Sequence, residues 1–190
     1  MLDIGNVIVD VNFSVFCDQV AERSGDEADI YDKFCIGSFK EDFDSGRVSI
    51  SGFLKTLRGD PLVRNISVKE IRNAWQDIFS LTPGCSEGIN LLKKRYRVWI
   101  MSDTDPLHFT FLLNTFPVLH AMERYYVSYE HGFLKNSPEA FRHVLQTSAI
   151  GAAELLLIDD KAENCEACRS EGIGSIRFTG WNDIIERFEM

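Results

Sequence analysis

Short apolar runs recur along the chain, and most of them stop at a polar residue. We predict strands in five of these runs, at 1–4, 98–101, 125–128, 155–158 and 175–178. The three spans between the last four runs are long enough for crossover helices, which we expect at 106–115, 138–147 and 162–171. A further helix is expected at 86–94, directly before the second run. Strands that alternate with helices in this way predict an α/β fold with a parallel sheet.

The segment between the first and second runs has a different pattern. It spans roughly 90 residues, much more than one crossover needs, and its apolar residues recur at helical spacing, as in Phe13, Phe16 and Val20. We therefore predict an all-helical cap over residues 12–82, inserted after strand 1 of a Rossmann-like core formed by 1–11 and 83–190. An insertion at this point hangs over the carboxyl ends of the strands, where open α/β sheets bind ligands.

The first run is unusually short for a central strand. Only Met1 and Leu2 precede Asp3, whereas strands usually run about five residues. We therefore expect that the chain is truncated at its amino end.

The composition excludes several kinds of partner. The 190 residues carry a formal net charge of −9, which repels nucleic-acid phosphates and anionic membrane surfaces. No apolar run approaches the roughly 20 residues of a membrane-spanning helix. The five cysteines are an odd number and no apolar signal region precedes Asp3, so we expect a cytoplasmic protein without a disulfide framework.

Polar residues follow three of the predicted strands at the point where each strand ends. In the first, Asp3 comes directly after the apolar residues Met1 and Leu2; Ser102 and Asp103 follow the second, and the pair Asp159 and Asp160 follows the fourth. The carboxyl ends of parallel strands meet at one edge of a sheet, so these side chains are expected to share a site. Carboxylates gathered without basic partners repel one another, and a hard divalent cation relieves that repulsion. The sequence therefore predicts a Mg²⁺ site.

Four segments resemble the motifs of the haloacid dehalogenase (HAD) superfamily in order and spacing. They read MLDIGNVIVD, IMSDT, KNSPEAF and LIDDKAENCEAC, at 1–10, 100–104, 135–141 and 157–168. The chain resembles the subfamily IA phosphatases with a helical cap, and its DIGNV opening resembles that of bacterial α-D-glucose-1-phosphate phosphatases. The resemblance implies a Mg²⁺-dependent phosphatase that acts on a small phosphorylated metabolite, such as a sugar phosphate.

The resemblance also implies roles for individual residues. Asp3 matches the nucleophile that attacks phosphorus and forms an aspartyl-phosphate. Ser102 matches the hydroxyl residue that binds a phosphoryl oxygen, and Lys135 matches the cation that pairs with the nucleophile and the phosphate. By this likeness, both belong to the catalytic and substrate-binding residues. Asp10 and Asp103 are further candidates to contact the substrate.

The implied metal ligands come from two of the motifs. Asp3 and Asp160 supply carboxylates, and Gly5 supplies its backbone carbonyl. Asp159 belongs to the same acidic pair and stands behind these ligands, with Asn164 as a supporting residue.

One residue departs from the family pattern. Phosphatases of this superfamily usually carry a second Asp two residues after the nucleophile as general acid and base, and this chain has Gly5 there. The leaving group must then take its proton from water, from Asp10 on the connection to the cap, or from Asp103 beside Ser102. Glycine is also compatible with a requirement of the backbone itself.

Two other functions remain open at the level of sequence. Metal-independent hydrolytic dehalogenation on the same fold likewise lacks an Asp at the position of Gly5, but it typically lacks the Asp159 and Asp160 pair. A binding or regulatory module that keeps the site without turnover is the other alternative. Aromatic residues of the cap are candidates to contact a sugar face, namely Phe39, Phe43 and Trp75.

Overall fold

A computed structural model describes residues 1–189 and contains six short strands within that range. The strands are β1 (Val9–Val11), β2 (Phe79–Leu81), β3 (Ile100–Ser102), β4 (Tyr125–Val127), β5 (Leu156–Asp159) and β6 (Gly174–Arg177). Strands β3 and β4 pair in parallel, as do β5 and β6. Leu2 joins the two pairs, because it forms parallel bridges with Ile100 on one side and Ile158 on the other.

Helices fill the rest of the chain. They are α1 (Phe13–Val20), α2 (Glu27–Ile30), α3 (Gly37–Asp44), α4 (Ile50–Gly59), α5 (Val68–Gln76), α6 (Cys85–Lys93), α7 (Pro106–Thr115), α8 (Ser128–His131), α9 (Pro138–Ser148), α10 (Ala162–Ser170) and α11 (Trp181–Glu189). A π-helix, Tyr31–Cys35, precedes α3, and short 3₁₀ turns occur at Pro117–Ala121 and Ala152–Glu154. Among residues 1–189, no helix combines the length and the apolar character that a membrane span requires.

The order of parallel strands is β4, β3, the segment at Leu2, β5 and β6. Helices α7, α9 and α10 lie between successive strands in the chain, as crossover connections require. The prediction of a Rossmann-like α/β fold with a helical insertion is therefore confirmed.

The predicted first strand is shorter than expected. Within 1–4, Leu2 alone forms bridges to its neighbours. The chain turns immediately after Asp3, because the carbonyl oxygen of Ile4 accepts hydrogen bonds from the amides of Ile8 and Val9. This turn leaves Asp3 at the carboxyl edge of the sheet.

An antiparallel pair that the sequence reasoning did not predict connects the two parts of the chain. Strands β1 and β2 pair with Asp10 opposite Ser80. Helices α1 to α5 lie between these two strands, so the chain leaves the sheet region and returns to it through adjacent segments.

The helical segment has an apolar cluster of its own. Its fully buried members include Phe16, Phe43, Phe53 and Trp75, and from the sheet region it takes Leu107. The amphipathic pattern explains the helices, since α5 places Ile71, Ala74 and Trp75 on its buried face. Ser67 begins α5 with a capping box, in which its hydroxyl and the Glu70 carboxylate each accept a backbone N–H.

Candidate active site

A cavity of about 430 Å³ lies where the ends of the central strands face the helical segment. The sheet side contributes polar residues that the sequence analysis singled out, namely Asp3, Gly5, Ser102, Asp103, Lys135, Asp160 and Asn164. The helical side contributes residues of α3 and its neighbours. The carboxyl edge of the sheet is where open α/β folds bind ligands.

Lys135 connects two of the carboxylates. Its Nζ lies 2.7 Å from Oδ1 of Asp3 and 2.6 Å from Oδ2 of Asp159. All three side chains are buried, and Lys135 is 2% exposed. A buried ammonium of this kind needs charged partners to stay in the interior.

The protonation of these groups follows from burial and from their mutual charge. Burial raises the pKa of Asp3 to about 7, although Lys135 works in the opposite direction. Burial alone would lower the pKa of Lys135, but Asp3 and Asp159 overcome it and raise that pKa. The ammonium therefore stays charged, and the carboxylates around it are in excess.

Asp159 and Asp160, the acidic pair at the end of β5, contact different residues. Asp159 is fully buried, and its Oδ1 accepts hydrogen bonds from the amide of Lys161 (2.9 Å) and from Nδ2 of Asn164 (3.0 Å). Asn164 therefore supports Asp159, as the likeness to the family implied. Asp160 is less buried, and its Oδ2 accepts a hydrogen bond from Nδ2 of Asn6 at 3.2 Å.

The remaining oxygen of Asp160 marks a place for a cation. Oδ1 of Asp160 is buried and has no hydrogen-bond partner within residues 1–189. Ligand oxygens of Asp3, Asp159 and Asp160 all lie within 4.8 Å of one another. A buried carboxylate oxygen without a donor is costly, and a hard divalent cation supplies the missing positive charge. These residues fit Mg²⁺.

Ser102 and Asp103 lie at the end of β3 beside this cluster. Ser102 is buried and lines the cavity. Asp103 accepts a hydrogen bond from the amide of Lys135 at 2.9 Å, and burial raises the pKa of its carboxyl. Asp103 therefore helps to fix the backbone that carries Lys135.

Gly5 lines the cavity with an ordinary backbone. Its φ lies outside the left-handed range, and the nearest atom to an added Cβ would be Cγ2 of Val11 at 3.4 Å. That distance is a normal van der Waals contact. Backbone conformation does not require glycine at this position.

Two sets of sequence candidates lie away from the cavity. Asp10 is exposed and accepts a hydrogen bond from the hydroxyl of Thr82, because the alternation along β1 buries Val9 and turns Asp10 outward. The expectation that Asp10 contacts substrate or supplies a proton is therefore wrong.

Phe43 and Trp75 are also wrong candidates for a sugar face, since both are fully buried in the helical cluster.

The sequence reasoning missed Asn6. This residue has a positive φ of 55°, and its side chain connects two elements: Nδ2 donates to Asp160, and Oδ1 accepts from the amide of Val11 at 3.3 Å. Asn is one of the few residues that adopt this conformation readily. An Asn in the turn directly after a candidate nucleophile was the available signal.

The fold and the site together define a class of protein: a Rossmann-like α/β protein with an acidic, lysine-bridged site at the carboxyl edge of its sheet. The family model for haloacid dehalogenase-like hydrolases matches residues 2–172. The chain therefore belongs to the haloacid dehalogenase-like hydrolases, and the family assignment made from the motifs is confirmed.

Individual relatives agree with this assignment. A D-ribitol-5-phosphate phosphatase from Bacteroides thetaiotaomicron is 27% identical over 172 residues, which cover 86% of this chain and 83% of the relative. A HAD family enzyme from the same organism, solved in complex with magnesium and inorganic phosphate, superposes with a TM-score of 0.80 at 22% identity and covers 94% and 92% of the two chains. A structure described as a predicted HAD-like hydrolase from Porphyromonas gingivalis gives a TM-score of 0.81 at 20% identity, covering 98% and 94%.

Proposed function

We propose that this protein hydrolyses a small phosphomonoester, of the sugar-phosphate type, through an aspartyl-phosphate on Asp3 and with Mg²⁺ as cofactor. The observation that carries the proposal is the buried, unpartnered Oδ1 of Asp160 beside the pair formed by Asp3 and Lys135. Support also comes from the relatives, since one is named a phosphatase and another was solved with magnesium and inorganic phosphate.

The proposed chemistry has two steps. A carboxylate oxygen of Asp3 attacks phosphorus, the bond from phosphorus to the ester oxygen breaks, and the alcohol departs after taking a proton. Water then attacks phosphorus of the acyl phosphate and releases inorganic phosphate, which regenerates the Asp3 carboxylate. Splitting the reaction in this way replaces one difficult displacement by two easier ones.

Residues of this chain would stabilise the charge that both steps move. Lys135 pairs with one oxygen of Asp3, and its fixed positive charge would stabilise the negative charge on the phosphoryl oxygens. Ser102 offers a hydroxyl in the same cavity. Asp3, Asp160 and the carbonyl of Gly5 would hold Mg²⁺, with Asp159 behind them, and the bound ion would screen the approach of one anion to another.

The leaving group remains without an acidic side chain at the position of Gly5. Asp103 lies in the cavity with a raised pKa, but its Oδ1 is occupied by the amide of Lys135. We therefore assign the proton to water, and expect leaving groups that are already acidic to depart fastest.

Dehalogenation by the same fold is less well supported. That chemistry attacks carbon and uses no metal, so it gives the unpartnered oxygen of Asp160 no role. A module without turnover would likewise leave unexplained why Lys135 is buried between Asp3 and Asp159 at a cost in desolvation.

We also propose that residues 12–82 form a cap that is separable from a core of 1–11 and 83–190. The support is the apolar cluster of the helical segment, which draws almost all its members from residues 16–78. We assign the protein to the cytoplasm, a compartment that suits five unpaired, buried cysteine thiols.

The test is the release of inorganic phosphate from a panel of phosphomonoesters, with Mg²⁺ and with excess chelator. We expect turnover that requires the ion and that Asp3→Asn abolishes, with an unchanged thermal unfolding midpoint in the absence of metal. Full activity in chelator, or substantial turnover by Asp3→Asn, would contradict the proposal. Halide release from a haloacid without metal would favour the dehalogenase instead.

A further inference from the structure

A buried ion pair on α3 lines the same cavity as Asp3. Lys40 and Asp44 lie one turn apart, their side chains form a salt bridge, and those side chains are 11% and 13% exposed. A surface pair at this spacing would be solvated and would contribute little. This pair instead faces the space in which a substrate would lie.

The pair belongs to a buried network that also includes Asp105 and His108. Oδ2 of Asp105 lies 3.7 Å from Nζ of Lys40 and 2.8 Å from Nδ1 of His108. Nε2 of His108 lies 2.7 Å from the carbonyl oxygen of Trp75, so both ring nitrogens of this buried histidine face oxygen atoms. Lys40 therefore faces two carboxylates, those of Asp44 and Asp105, and the wall of the cavity is polar without an excess of positive charge.

Both members of the pair keep hydrogen-bonding capacity. The Lys40 ammonium has three N–H donors, of which Asp44 takes one, and Asp105 is too distant for a hydrogen bond. Asp44 accepts from Lys40 through Oδ1, which leaves Oδ2 available. Burial alone would lower the pKa of Lys40, but Asp44 and Asp105 raise it, so the donors persist.

Helix α3 is held firmly against the sheet region at the end that carries Asp44. The hydroxyl of Ser128 donates to the carbonyl oxygen of Asp44 at 2.5 Å. Gly46 has a φ of 73°, and a Cβ there would lie 2.4 Å from the carbonyl oxygen of Tyr129. This close approach leaves no room for a side chain, and it fixes the position of the ion pair.

We infer that Lys40 and Asp44 recognise hydroxyl groups of the departing alcohol, so that the substrate is the phosphomonoester of a neutral, polyhydroxylated alcohol. A hydroxyl can accept from the Lys40 ammonium and donate to the Asp44 carboxylate, and neighbouring hydroxyls of a polyol satisfy both residues together. This inference rests on the proposed phosphatase function, because it assigns the part of the substrate that Asp3 does not attack.

Other leaving groups fit this wall poorly. A second phosphate would meet Asp44, and Glu41 of the same helix also lines the cavity. The Lys40 ammonium already faces the carboxylates of Asp44 and Asp105, so the network offers a second anion no unpaired positive charge. An alkyl chain would exclude water from both charged groups and offer them no hydrogen bond in return. The loss of those hydrogen bonds to water would weaken binding.

The experiment compares kcat/KM for two phosphomonoesters of equal carbon number, a phosphorylated alditol and the corresponding alkyl phosphate. An aryl phosphate serves as a third substrate that reports the chemistry alone. For the wild-type protein we expect the alditol phosphate to exceed the alkyl phosphate. In Lys40→Met and in Asp44→Asn we expect this ratio to fall about 10- to 100-fold, the usual effect of losing a hydrogen bond to a charged group.

Each single variant leaves one buried charge without its partner, and that change can unfold the helical segment. The double variant Lys40→Met with Asp44→Leu removes both charges, so neither is left buried without its partner. We expect the same fall in the ratio of kcat/KM for the alditol phosphate to kcat/KM for the alkyl phosphate. Lys33→Met is the matched control, because Lys33 also pairs with an aspartate, Asp60, on the helical segment, but it does not line the cavity. The control should keep the wild-type ratio.

The outcomes separate this inference from the proposed function. Wild-type protein that hydrolyses the aryl phosphate but prefers neither alditol nor alkyl phosphate would overturn the inference and leave the phosphatase intact. A wild-type preference that survives in the double variant would overturn it equally. Absence of turnover on all three substrates would instead remove the phosphatase function on which the inference rests.

Discussion

Lys135 lies 2.7 Å from the carboxylate of Asp3, although the two residues are far apart in the sequence. The lysine follows α8 and the aspartate ends the segment at Leu2, so the sheet brings them together. The contact provides Asp3 with its one buried cationic neighbour among residues 1–189. Its removal therefore tests structure and activity at once.

We expect Lys135→Met to lower the free energy of unfolding by about 3–5 kcal/mol, because Asp3 and Asp159 would remain buried without their counter-charge. Phosphatase activity should fall below detection in the same variant. Urea unfolding without metal, with phosphate release beside it, provides the check. Lys69→Met, on the exposed face of α5, should unfold like the wild type. Equal stability of Lys135→Met and Lys69→Met would contradict the argument.

The lowered pKa of Asp105 predicts how the free energy of unfolding depends on pH. Burial alone would raise the pKa of Asp105, but His108 and Lys40 overcome it and lower that pKa to about 2. A carboxyl whose folded pKa is depressed stabilises the protein above its unfolded pKa, and this stability is lost as the pH falls from about 4 to about 2. A shift of this size corresponds to about 2 kcal/mol.

The measurement is the free energy of unfolding of the wild type and of Asp105→Asn from pH 5 to pH 2. We expect the variant to be less stable at pH 5, and the difference between the two proteins to shrink by about 2 kcal/mol toward pH 2. A difference that stays constant over this range would show that the Asp105 charge makes no contribution.

Gly5→Asp should fold, because the backbone at Gly5 is ordinary and an added Cβ meets Val11 at normal contact distance. If the new carboxyl donates a proton to the departing oxygen, turnover of alkyl phosphates should rise by about 10²-fold or more, and turnover of aryl phosphates should change little. Thermal unfolding measured beside both activities separates a catalytic gain from a change in stability. An equal change for both substrates would contradict the view that Gly5 leaves the proton to water.

Asn6→Gly tests whether Asn6 positions Asp160. Glycine accepts the positive φ, so this variant removes the side chain and keeps the backbone. Without the hydrogen bond from Asn6, the Asp160 carboxylate is free to rotate, and we expect Mg²⁺ affinity, measured by calorimetry, to fall about 10- to 100-fold. Ala149→Gly, at the other non-glycine residue of positive φ within 1–189, should bind Mg²⁺ like the wild type. Unchanged affinity in Asn6→Gly would refute the positioning role.

Sequence reasoning succeeded where local signals agree with the fold. Helix Pro106–Thr115 has the predicted bounds, because Asp105 caps its first amides and Pro106 occupies the first helical position, where its missing N–H costs nothing. The residues Asp3, Ser102 and Asp160 share one cavity because each lies at the end of a strand or bridge segment at the same edge of the sheet. Lys135, which the likeness to the family singled out, reaches the same cavity from the loop after α8.

The failures have equally local causes. Asp10 follows an apolar run, as Asp3, Ser102 and Asp159 do, but the alternation along β1 directs it away from the cavity. Lys40 and Asp44 have the spacing of an ordinary exposed pair on a helix, and only the packing of α3 over the sheet turns that pair inward. Tertiary contacts of this kind leave no periodic trace in a single sequence.

The central claim is that Asp3 carries the phosphoryl group during turnover, and mass spectrometry of acid-quenched enzyme tests it most directly. Enzyme mixed with an aryl phosphate and Mg²⁺ is quenched within the first turnover and digested, and the phosphorylated peptide is sequenced. We predict phosphate on the amino-terminal peptide, at Asp3, and none in Asp3→Asn or in enzyme treated with chelator. Rapid turnover with no phosphate on Asp3, or with phosphate on another residue, would contradict the account.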